Sequence, residues 1–285
     1  MVRGTVVLSV VCVGGLGLAV WMIAAWGRKP SDRQPLLVVS DESLEVAERT
    51  VRAAVVGIVG GIIAGVLVAG LGGRLMMRVL AVTSGDSAQG LVTEAHETVG
   101  DITLGGSVGF VVFNGIFFGA IGGVGYVLLR SWLPSRPWLG GLVYGVALLG
   151  LAPLDALNPD NTDFSILRPS WLAVLLVAGL FPLYGMTTAS VVERLDRTWP
   201  RISTKRRAIL GYSPLLLALV VAPMGVGIVI AVGLVVLLHR RHDFVEVWHG
   251  PVAAKACRIV LVVLLVAATF SAGSAGLDIL SAELS

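Results

Sequence analysis

Two arginines four residues apart, Arg74 and Arg78, sit in the run GLGGRLMMRVL that closes an apolar, glycine-rich stretch. That spacing places both on one face of a helix. Paired cations at a helix end are a candidate anion-binding or salt-bridged site. They also fit a plainer account: long cationic chains snorkel to a membrane surface, and cations suit the C-terminal end of a helix dipole. Possible partners follow in the loop SGDSAQGLVTEAHETVGDITLGG, which holds Asp86, Glu94, Glu97 and Asp101 with one histidine, His96. A histidine among acids can titrate near neutral pH, although a solvated loop histidine needs no role.

Two further polar residues stand out. Asp155, in LAPLDALNPDNTDF, is the deepest carboxylate of the apolar spans and a candidate partner for Arg74 or Arg78. Ionisable residues within membrane segments are functional candidates by default, and a place near the span end weakens that inference. Asn114 lies in the apolar part of a span, where an amide usually hydrogen-bonds a neighbouring helix. No catalytic constellation is present: no phosphate-binding glycine loop, no HExxH and no GxSxG. No metal-ligand spacing occurs, the two cysteines (Cys12 and Cys257) imply no disulfide, and no cofactor is expected. The last span lacks a central lysine for a Schiff base, and no span carries the chain of buried acids that proton-coupled pumps use.

The elements that must position these residues are membrane helices. The chain has 285 residues, mean hydropathy +0.89 and 14% charged residues, against about 25% for soluble domains. Several apolar runs exceed the roughly 20 residues needed to cross a bilayer core. The expected fold is an all-α polytopic bundle forming one membrane domain over 1–285. Its spans are near 5–26, 53–73, 103–129, 138–154, 171–192, 208–239 and 256–277, with polar outer loops at 80–102 and 154–170. DESLEVAERT, from Asp41 to Thr50, reads as a helical extension into the second span. The first span reads as uncleaved. The run 208–239 contains Pro214 and Pro223 and is either one kinked span or a hairpin.

Basic residues orient the chain. Arg28, Lys29, Arg33, Arg49 and Arg52, then Arg130 and Arg136, then Arg194 to Arg207 fall in loops on one side, which the positive-inside rule makes cytoplasmic. Seven spans then put the N-terminus outside and the C-terminus inside. The basic cluster Arg240, Arg241, Lys255 and Arg258 lands on the wrong side in this threading; a hairpin at 208–239 would return it and send the C-terminus out. A pI near 9.1 therefore reflects membrane topology and not nucleic-acid binding. The expected partners are the bilayer and other membrane proteins or a second copy.

Glycines recur every four residues: Gly57, Gly61, Gly65, Ala69 and Gly73 in the second span, then Gly115, Gly119 and Gly123 in the third, with Gly105 and Gly109 before them. Lipid supplies no hydrophobic drive for helix association, so small residues that let backbones approach carry more weight. Packing of the two spans on each other is the plain expectation; an oligomer interface or a sliding surface is the sharper one.

GRLMMRVLAVTS, VTEAHETVGDITLGG, GGVGYVLLRSWLP and NPDNTDFSILRPSWLAVLL together resemble a family of multi-pass membrane proteins from actinobacteria and their relatives. The resemblance covers about Gly70 to Leu195. It implies the structural class and carries no established activity. The expected function is that of a non-enzymatic envelope or membrane-complex component. The alternatives are an anion or small-molecule transporter or binding protein using Arg74 and Arg78, and, with least support, an interfacial enzyme using His96, Asp101 and Asp155.

Overall fold

The computed structural model describes residues 43–85, 88–91, 103–151, 166, 169–198 and 251–282. The expected spans 5–26 and 208–239 lie outside the described residues, as does the choice between kink and hairpin. Every regular element described is helical, and four helices are long and apolar enough to cross a membrane.

Helix α1 is continuous through Ser43–Ala64, a π-helical segment Gly65–Gly72, and Gly73–Thr83. It is longer than the expected span at both ends, so the polar loop expected from residue 80 starts later. The stop is local. The Ser84 hydroxyl donates to the Leu80 carbonyl at 2.6 Å and the Thr83 hydroxyl to Val79 at 2.9 Å. Gly85 then turns out at φ 72°, a conformation glycine adopts without a Cβ penalty.

Helix α2 runs through Leu104–Phe110, a second π segment Val111–Phe117, and Phe118–Leu129. Thr103 caps its start by accepting from the Gly106 amide at 3.1 Å. Helix α3 (Pro137–Leu151) opens on proline, whose missing N–H costs nothing in the first turn. Helices α4 (Ser170–Thr198) and α5 (Pro251–Ala282) complete the described set.

The broadest contacts are α3 on α4 and α1 on α2; α1 also packs on α4, and the two π segments lie against each other. Helix α5 rests mainly on α3. The core joins Val56, Tyr126, Val143, Tyr144, Tyr184 and Val192. Large apolar side chains remain exposed on the outer faces, including Leu104 and Phe113 on α2 and Ile259, Val263 and Phe270 on α5. A surface of that kind suits lipid and not water.

The direction of α5 follows from its contacts. A Cβ on Gly150, one residue from the end of α3, would stand 2.5 Å from the Leu264 carbonyl and 2.9 Å from Ala268. Ala254 packs on the central core, whose α3 members, Val143, Tyr144 and Ala147, all precede Gly150. Helix α5 therefore runs in the same sense as α3. Its first turns lie at the end of the bundle where α4 finishes.

Candidate functional site

The glycines decide how closely the helices approach. Gly57, Gly61 and Gly65 of α1 face Gly123, Gly119 and Gly115 of α2. A Cβ on Gly119 would stand 2.6 Å from the Gly61 carbonyl, and one on Gly115 would stand 3.0 Å from the Val66 Cα. A Cβ on Gly61, Gly65 or Gly123 would run into the Gly119, Gly115 or Gly57 carbonyl oxygen respectively. Only hydrogen fits at these crossings. Gly73 ends the row against Phe110, whose Cε1 would be 2.9 Å from an added Cβ. Among the described residues, Gly105 and Gly109 meet nothing within 4 Å.

A second close crossing joins α3 and α4. A Cβ on Gly141 would sit 2.5 Å from the Gly185 carbonyl, and one on Gly145 would sit 2.7 Å from the Pro182 Cα. Proline inside a helix removes one backbone hydrogen bond, and here the ring-bearing residue is matched to a glycine across the interface. Two tyrosines tie α3 and α4 to α2. The Tyr144 hydroxyl donates to the Gly122 carbonyl at 2.6 Å and the Tyr184 hydroxyl to the Gly119 carbonyl at 3.0 Å. Tyr126 and Tyr144 meet edge to face at 5.5 Å.

At one end of the bundle, a single carboxylate joins three helices. Asp196, near the end of α4, accepts from Arg52 of α1 at 2.7 Å through Oδ1 and from Arg130, just past α2, at 2.8 Å through Oδ2. A second nitrogen of Arg52 donates to the Asp196 backbone carbonyl at 2.5 Å. Arg130 is buried, with 7% of its surface exposed. One turn earlier on α4, Glu193 accepts from the Tyr126 hydroxyl at 3.2 Å. Arg52 and Arg130, which the sequence offers as orientation signals, are also interhelical contacts in the structure. Glu193, within a helix that continues to Thr198, is another. Asp196 is the residue missed.

The Arg74 end is different. The Arg74 guanidinium lies over the Phe110 ring of α2, 5.1 Å from its centroid. Its Nε is shielded from solvent and, like those of Arg52 and Arg130, has no hydrogen-bond acceptor among the described residues. Arg78, one turn on, is exposed. Among the described residues neither arginine has an ion-pair partner. Glu94, His96, Glu97, Asp101 and Asp155 lie outside the described residues. Asn114 falls in the π segment of α2, half-buried, among neighbours that include the stacked rings of Phe113 and Phe117. Among the described residues no group of three or more histidine, cysteine or acidic side chains could hold a metal.

No family model, curated protein or solved structure matches the chain. The likeness noted over Gly70 to Leu195 therefore contributes no residue roles, and function rests on the geometry.

Proposed function

We propose that this is a multi-pass plasma-membrane protein acting as a non-enzymatic scaffold or component of a membrane complex. The observation that carries this is backbone-to-backbone contact at two successive crossings, α1 with α2 and α3 with α4. Helices held this closely move as a unit, because parting them forfeits contacts that lipid does not replace. The Asp196 bridge fastens α1, α2 and α4 at one end and supports the same rigid unit.

The direction of α5 bears on orientation. Arg49, Arg52, Arg130, Arg136, Arg194, Arg197, Lys255 and Arg258 then gather at the Asp196 end, and only Arg74 and Arg78 of the described basic residues lie towards the other. The positive-inside rule makes the Asp196 end cytoplasmic. In this proposed orientation helix α5 leaves the cytoplasm, opposite to the sense expected from seven spans, and Lys255 and Arg258 fall on the basic side; Arg240 and Arg241 lie outside the described residues. The N-terminus falls outside the described residues.

A second reading, anion binding or transport at Arg74 and Arg78, draws on the lack of an ion-pair partner for either among the described residues. Mass measurement of the full chain, extracted with its native lipid, separates the two. A scaffold or complex component gives an assembly of fixed stoichiometry, with a second copy or another membrane protein. A lone monomer that drives anion uptake when reconstituted would overturn the scaffold.

A further inference from the structure

Four observations converge on the Arg74 end. First, the Asp196 end shows how the fold treats arginines it means to pair: Arg52 and Arg130 share one carboxylate at 2.7 and 2.8 Å. Arg74, half-buried, has no such partner among the described residues. Second, its guanidinium carbon lies over the Phe110 ring at 5.1 Å, a cation–π contact that restrains the group and satisfies none of its N–H donors with an oxygen acceptor. Third, Arg78 adds an exposed cation on the same face.

Fourth, the depth matches a bilayer boundary. About 30 Å of helix separates Arg52 from Arg74, near one hydrocarbon thickness. Beside the pair runs an exposed apolar row on α1, Ile63, Leu67, Leu71 and Leu75, continued by Val82. An acceptor reaching the arginines along this row would carry acyl chains on one side and an oxyanion on the other.

We propose that Arg74 and Arg78 hold the phosphate of an anionic phospholipid in the leaflet opposite the Asp196 end. The Phe110 ring orients Arg74, and the Leu67–Leu71–Leu75 row takes the chains. A phosphodiester offers two unesterified oxygens that the planar arginine fork can take together. The proposal rests on the membrane-spanning and anion-binding readings.

The test uses the full-length protein in nanodiscs of phosphatidylcholine with a minor fraction of phosphatidylglycerol. Native mass spectrometry then counts retained lipid. The expected result is selective retention of phosphatidylglycerol, weakened about fivefold for each of Arg74→Gln and Arg78→Gln, and unchanged by Arg136→Gln at the opposite end. Thermal unfolding supplies the second measurement: phosphatidylglycerol raises the midpoint of the native chain and not of the double variant. Equal retention by native and double variant overturns the proposal. So does a loss of stability in the double variant that is the same in pure phosphatidylcholine, because a protein carboxylate would then be the partner. Displacement of the lipid by millimolar inorganic phosphate assigns the site to a soluble anion, which overturns the lipid and leaves anion binding standing. Failure of the chain to enter membranes would strike the underlying reading instead.

Discussion

Replacing Asp196 by asparagine keeps the shape of the side chain and removes the charge that two arginines share. One charge-assisted hydrogen bond is lost outright, because the amide has a single acceptor oxygen, and the other loses its anionic acceptor; such bonds are worth about 1.5 to 3 kcal/mol each when sheltered. Asp196 and Arg52 keep 24% and 23% of their side-chain surface exposed, so each bond is discounted to about 1 kcal/mol. The two guanidinium groups are then left facing each other. At roughly 6 Å and an effective dielectric of about 20 they repel by about 2 to 3 kcal/mol, and side-chain movement and screening reduce this to about 1. The expected loss for Asp196→Asn is therefore about 2 to 4 kcal/mol. Reversible unfolding in mixed micelles measures it, and double-mutant cycles with Arg130→Met and Arg52→Met divide it. The 7% exposure of Arg130 makes its coupling to Asp196 the larger of the two. Asp196→Asn should also cost less once Arg52 is already Met, because the repulsion has gone. A change below about 0.5 kcal/mol for Asp196→Asn, or a stronger coupling to Arg52 than to Arg130, would refute this account of the bridge.

Gly61→Ala places a methyl group where the Gly119 carbonyl already lies, and should cost about 1 to 3 kcal/mol in the same unfolding assay. Gly109→Ala meets nothing within 4 Å among the described residues and should be neutral or stabilising by up to about 1 kcal/mol. Equal effects at the two sites would contradict the α1–α2 crossing. For orientation, single cysteines at positions 136, 255 and 78 in a chain lacking Cys12 and Cys257 should react with an impermeant thiol reagent in two groups, 136 with 255 and 78 apart. Labelling of 255 together with 78 would reverse the direction of α5.

The helices announce themselves through composition, and the α2 helix Leu104–Leu129 lies within a residue of the expected 103–129. Glycine spacing is equally visible, because a four-residue period is a property of one segment. What the spacing does not contain is the identity of the opposing element. Gly141, Gly145 and Gly185 also make backbone crossings, yet Gly185 shares its helix only with Gly179, six residues earlier, and offers no four-residue period to notice. Asp196 was illegible for a similar reason. In VVERLDRT it is one charge among several at a helix end, and its partners Arg52 and Arg130 lie 144 and 66 residues away in the chain. Nothing local to Tyr144 and Tyr184 shows that Gly122 and Gly119 present carbonyls to them. Arg74 was suspected for its spacing, but its contact is the Phe110 ring and not a described acid.

The two π segments have a consequence for residue counting. A π turn closes its hydrogen bond one residue later than an α turn, so each segment behaves as an insertion accommodated within a helix. Within a regular α-helix one extra residue would rotate everything beyond it by about 100°; a π turn takes up that residue locally, so the faces before and after it stay aligned. Both helices carry the irregularity, in Gly65–Gly72 and Val111–Phe117, and the two lie side by side. The glycine row below and the Phe110–Arg74 contact above therefore meet the same neighbour although the residue count between them is not that of an α-helix. Deleting one residue within a π segment should tighten it to an α-helix and leave both contacts in place, whereas the same deletion in the α-helical stretch beyond it would turn Arg74 away from Phe110.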